Sequence, residues 1–118
     1  MKTPFPTDQM ARNAREAAAL LKALSHEARL MIMCLLMEGE RSVTDLERAL
    51  GRRQAAVSQQ LARLRLDGLV RARRDGKTIF YSITSEHARL LMKTLAAAFI
   101  DGTGARPNHG AEPDSPAP

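Results

Sequence analysis

Between Arg52 and Lys77 the chain carries eight basic residues and only two acidic ones, Asp67 and Asp75. That segment alone outweighs the net charge of +5 that the whole 118-residue chain has at neutral pH. Within it, Val57, Leu61 and Leu64 recur at helical spacing. Turning them inward leaves Gln54, Ala55, Ser58, Gln59 and Ala62 outward on a face without acid. Gln pairs bidentately with adenine, Ser bonds to a base or a phosphate, and Ala touches a thymine methyl. Arg52 and Arg53 stand at the start of this helix, where free backbone N–H groups and the helix dipole already favour phosphate. Arg63 and Arg65 lie further along the helix, within reach of the backbone of a bound duplex. Arg71, Arg73, Arg74 and Lys77 surround Asp75-Gly76, and long basic side chains at a hairpin tip suit a minor groove or its flanking phosphates. The candidate DNA-binding set is therefore Arg52, Arg53, Gln54, Ala55, Ser58, Gln59, Arg63, Arg73, Arg74 and Lys77.

Cys34 is the second residue with chemistry of its own, and the only cysteine. As one thiol it forms no intrachain disulfide and no Cys-rich zinc module. A free Cys is among the most buried residue types, and apolar surroundings keep its proton on. As a sensor it would act alone, through a persulfide, a sulfenic acid, a mixed disulfide or ligation of a haem-like molecule. Both readings stand at this point. The three His are scattered at positions 26, 87 and 109, so no metal site and no cofactor are expected. Neither a pocketed carboxylate pair nor a Gly-rich phosphate loop is visible, and no nucleophile has a base nearby, so the chain does not read as an enzyme.

Several elements must position these residues. Asp8 to Leu24 reads as a helix, with Met10, Ala14, Ala17, Leu21 and Leu24 as its stripe. Ser25 would cap the next helix, His26 to Met37, whose run from Leu30 to Met37 is apolar on all sides and so expected to be central. Gly39 would end it. Ser42 and Asp45 open a short third helix that Gly51 closes, with Val43, Leu46 and Leu50 inward. The fourth helix runs from about Arg53 to Asp67 and stops at Gly68. Leu69 to Arg74 and Thr78 to Ile83 read as two strands joined through Asp75-Gly76-Lys77. Thr84 or Ser85 caps a last helix, Glu86 to Ile100, with Leu91, Leu95, Ala98 and Phe99 as its stripe, widened by Leu90 and Met92. The expected fold is mainly α with a β-hairpin wing, a winged helix-turn-helix over residues 8–100. Residues 1–7 read as a loose lead-in and 101–118, rich in Gly, Pro, Ala and Ser, as a disordered tail.

Composition agrees. The chain is 44% hydrophobic but only 3% aromatic, so its core must be aliphatic. No apolar stretch reaches membrane-spanning length without charges, and the first residues form no secretory signal, so a cytoplasmic protein is expected.

The stretch Leu24-Ser25-His26-Glu27-Ala28-Arg29-Leu30 resembles the entry to the second helix in the ArsR/SmtB family of bacterial repressors. Gln54 to Leu64, followed by Asp67-Gly68-Leu69-Val70, resembles that family's recognition helix and its exit, and Arg73 to Ile83 resembles its wing. Met31-Ile32-Met33-Cys34 and Arg53 to Gln60 are similar to the SqrR/BigR persulfide-responsive group. The resemblance implies a homodimer built on the first and last helices, two recognition helices reading an inverted repeat of double-stranded DNA, and release on inducer binding or thiol chemistry. It also implies a second Cys near the end of the last helix, where this chain has Ile100, so the group's sulfur bridge cannot form here. The family's metal sites need ligand pairs that Ser42-Val43-Thr44-Asp45 and the lone pair Glu86-His87 do not supply.

The sequence therefore points to a sequence-specific, dimeric repressor. The alternatives are an uninducible or small-molecule-responsive repressor in which Cys34 is structural, a non-specific architectural DNA binder, and an interaction module that has lost DNA binding.

Overall fold

The computed structural model describes residues 6–51 and 54–100, and the side chains of Gln54 and Ala55 are outside that description. The lead-in up to residue 5, Arg52, Arg53 and the expected tail 101–118 lie outside the described residues. Elements follow in the order α1 (Thr7–Leu24), α2 (Glu27–Met37), β1 (Arg41–Ser42), α3 (Val43–Leu50), α4 (Gln54–Leu66), β2 (Val70–Asp75), β3 (Thr78–Ile83) and α5 (Glu86–Phe99). The chain divides into two compact units. The first ends at Thr84, and the second begins at Ser85 and contains α5.

In the first unit α2 is the hub, packing on α1, α3, α4 and β3. Its apolar sequence does not translate into burial all round. Ile32, Met33 and Leu36 are buried, Cys34 and Leu35 are half-buried, and Met31 is exposed. The same correction applies to α1. Of its expected stripe only Leu24 is buried, together with Ala23, while Met10 and Leu21 face solvent. Only the last turn of α1 contributes to the core. In α4 the expected face holds: Val57, Leu61 and Leu64 are all within 1% of complete burial. In α5 the buried positions are Ala88 and Met92, whereas Leu91, Leu95 and Ala98 are half-buried and Leu90 and Phe99 exposed.

Helix ends are set by local hydrogen bonds. Ser25 does not cap α2. It closes α1 instead, its hydroxyl donating to the Lys22 carbonyl at 3.0 Å. The cap of α2 is His26, whose Nδ1 accepts from the Ala28 N–H at 3.2 Å. Ser42 caps α3 by accepting from the Asp45 N–H, and Ser85 caps α5 in the same way from Ala88. The exit from α4 is a Schellman turn. Gly68 takes φ +77°, a conformation that side chains resist, and its N–H donates to the Arg65 carbonyl while that of Leu69 donates to Leu64. This turn aims the chain into β2.

The sheet has three strands, not the expected two, in the order β1-β3-β2 with both pairings antiparallel. The two residues of β1 are too few to show an alternating pattern. Asp75 pairs with Thr78, so the hairpin turn is the two-residue Gly76-Lys77, with Gly76 at φ +67°. Val70 and Ile83 anchor the base of the hairpin in the core. The architecture is a winged helix-turn-helix: α3 and α4 are joined by a short turn, and the β2–β3 wing follows.

Replacing Leu61 by Ala is expected to cost about 2–5 kcal/mol in urea denaturation, because the side chain is wholly enclosed. Leu66→Ala, at a position 77% exposed, should stay within about 0.5 kcal/mol of the parent.

Candidate nucleic-acid interface

The inward set Val57, Leu61 and Leu64 fixes the rotation of α4, and Gln59, Ala62 and Arg63 are consequently exposed. Ser58 is half-buried at the edge of that face. Arg63 sits 3.5 Å from Asp67 one turn on, a loose pair that leaves its guanidinium largely in solvent. Arg52 and Arg53 lie outside the described residues, and Gln54 and Ala55 are placed on the first turn of α4 by backbone alone.

One structural residue escaped the sequence reading. Arg29 of α2 is half-buried, and its Nε donates to Gln60 Oε1 on α4 at 2.8 Å. Its Nη1 donates to the Ala23 carbonyl at the end of α1, at 3.1 Å. One guanidinium thus joins α1, α2 and α4. The available signal was an Arg directly before the apolar run Leu30–Met37, a side chain that is buried only with partners. Arg29, Gln59, Gln60, Ala62, Arg63 and Leu66 line an open cleft of about 400 Å³ beside the exposed face of α4. Two guanidiniums and two amides make this cleft suited to anions.

The wing is less uniform than its composition. Arg74 and Lys77 are exposed and engage no ion pair among the described residues. Arg71 makes a marginal contact with Ser82 Oγ at 3.5 Å. Arg73 is committed. Its Nε and Nη2 donate to the two carboxylate oxygens of Glu40 at 3.0 and 2.8 Å, and its guanidinium lies 4.9 Å from the centroid of the Phe80 ring. These hydrogen bonds hold the Glu40 carboxyl below, and the Arg73 guanidinium above, its ordinary pKa range.

Cys34 lies in α2, outside both α4 and the wing. Burial pushes its pKa up, and the Glu38 carboxylate one turn on adds to the rise. The charged group that acts on this thiol therefore disfavours the thiolate. Among the described residues no group of three or more His, Cys, Asp or Glu side chains is placed to hold a metal ion. No helix among them is long and apolar enough to cross a membrane.

Comparison with known proteins agrees with this geometry. Residues 26–72, from the cap of α2 to the middle of β2, match the family described as bacterial regulatory protein, arsR family. The chain is 47% identical over 95 residues to a biofilm growth-associated repressor of Agrobacterium fabrum, covering 80% of this chain and 81% of that protein. It is 40% identical over 92 residues to the transcriptional activator HlyU of Vibrio cholerae, covering 78% and 85%. The crystal structure of the transcriptional repressor BigR from Xylella fastidiosa superposes with a TM-score of 0.77 at 45% identity, over 80% of this chain and 97% of that one. These relatives are transcriptional regulators and not enzymes, as the sequence reading expected. The helix α4 with its polar exposed face, followed by a basic wing, thus belongs to a chain that is a member of the arsR family of bacterial transcriptional regulators.

Proposed function

We propose that this protein is a dimeric, sequence-specific repressor that binds an inverted repeat of double-stranded DNA in the cytoplasm. The observation that carries the reading is the acid-free exposed face of α4, held by Arg29 and flanked by the wing. In this reading Gln54, Ala55, Ser58 and Gln59 meet base edges in the major groove. Arg52, Arg53 and Arg63 bind phosphates, as do Arg74 and Lys77 of the wing. The repressor sense follows the two relatives that carry that name. A second copy is favoured by apolar surface on both terminal helices. Met10 and Leu21 are exposed on α1, and Leu90 and Phe99 on α5. A second copy would cover these side chains.

A specific property of Cys34 favours a packing role over rapid sensing. With burial and Glu38 both holding the proton on, its thiolate is scarce at neutral pH. Reactive sulfur remains the chemical class it would take, acting on one thiol alone. The rate of alkylation by iodoacetamide is expected to keep climbing through and above the ordinary thiol range. Glu38→Gln should shift that profile to lower pH. A rate that levels off below neutrality would instead show an activated thiolate and restore Cys34 as a fast sensor.

The function is tested by fluorescence anisotropy on a duplex from the protein's own upstream region, with unlabelled competitors at fixed salt. The expected result is a preference of about 10³-fold or more over scrambled DNA, together with steep salt dependence. Gln59→Ala should remove about 1–3 kcal/mol of that preference while leaving binding to scrambled DNA nearly unchanged. Equal competition by every duplex would point to an architectural binder. The absence of salt-dependent binding would point to an interaction module.

A further inference from the structure

Phe80 sits on β3, the central strand of the sheet. Its neighbour across the β2 pairing is Arg73, and across the β1 pairing Ser42, two residues after Glu40. The Arg73 guanidinium lies over the Phe80 ring and reaches both oxygens of Glu40. The pair therefore spans the central strand and joins β2 to the chain entering β1. The next residue, Arg41, faces elsewhere. Its Nε donates to the Leu35 carbonyl in α2 at 3.2 Å, and it pairs with Glu38 at the end of the same helix. Two consecutive residues thus tie the wing on one side and the last turn of α2 on the other.

We propose that Arg73 is a positioning residue, holding the wing through Glu40 and Phe80, and that it does not bind DNA phosphate. The sequence pattern grouped it with Arg74 and Lys77, but its surroundings differ from theirs. To reach a phosphate, Arg73 must break two charge-assisted hydrogen bonds and leave an aromatic face. It would exchange one bidentate anion for another, with little net gain. Glu40 would then be left as a bare carboxylate facing a polyanion. Kept in place, the same contacts hold the hairpin in one orientation before DNA arrives, so less conformational freedom is lost on binding.

The inference rests on the DNA-binding reading, and one experiment separates the two. Anisotropy titrations over a salt series are run on the full chain with the upstream duplex. The variants are Glu40→Gln, Arg73→Lys, Arg73→Gln, Arg74→Gln and the double variant Glu40→Gln/Arg73→Lys. Thermal unfolding confirms that each is folded. Simple electrostatics says that removing an acid beside DNA tightens binding. A positioning role predicts the opposite sign. Glu40→Gln and Arg73→Lys each weaken binding by about 3- to 10-fold, and the double variant is no weaker than either, because they break one coupled contact. The slope of log K against log salt stays at the wild-type value for Glu40→Gln, Arg73→Lys and Arg73→Gln. For Arg74→Gln it shrinks by about 0.9, the mark of one lost phosphate contact. Tighter binding by Glu40→Gln, a slope lowered by about 0.9 in Arg73→Gln, or variants at both positions that bind like the wild type would each overturn the proposal. A wild-type protein with no salt-dependent affinity for the duplex would overturn the DNA-binding reading itself, and this inference with it.

Discussion

Three side chains on one face of α4 have to leave water together. Val57, Leu61 and Leu64 follow one another at spacings of four and three, and burying each contributes about 1.5–3 kcal/mol. A rotation of α4 by one residue's step would lose much of that and press polar side chains into the core. The burial therefore decides which residues the helix offers to solvent. Gln59, Ala62 and Arg63 are exposed because these three leucine and valine side chains are not. Arg29 sharpens the same constraint by holding Gln60 at the boundary between the two faces. The exposed polar face of α4 is in this sense a by-product of the core.

Much of this was legible in the chain alone because it is periodic or local. The face of α4, the cap at Ser42, the stop at Gly68 and the hairpin around Gly76 each depend on residues within a few positions of one another. The misreadings came where local signals compete or where burial depends on distant elements. Ser25 and His26 are adjacent and either can cap; the backbone places His26 in the extended conformation a cap needs and leaves Ser25 to close α1. The stripes of α1 and α5 were visible as patterns, but a pattern does not say whether anything covers it. Within the first unit only the last turn of α1 is buried.

The basic wing illustrates the limit for charge. Counting residues treats Arg73 and Arg74 as equivalent neighbours. Strand alternation sends them to opposite faces of the sheet. Arg73 there meets Glu40, 33 positions away in sequence, and Phe80 beneath it. No local pattern reports such a pairing, and β1, which brings Glu40 alongside, is only two residues long. Charge density picks out the segment as a whole, but the sheet register gives its arginines different surroundings.

In the proposed function, α4 and the wing tip form the DNA-reading surface. The most direct test is to titrate isotope-labelled protein with its upstream duplex and follow each backbone amide by NMR. The largest shifts are expected on Ser58, Gln59, Ala62 and Arg63 and on the turn at Gly76-Lys77. Shifts confined to α1 or α5, with α4 and the turn unmoved, would contradict it.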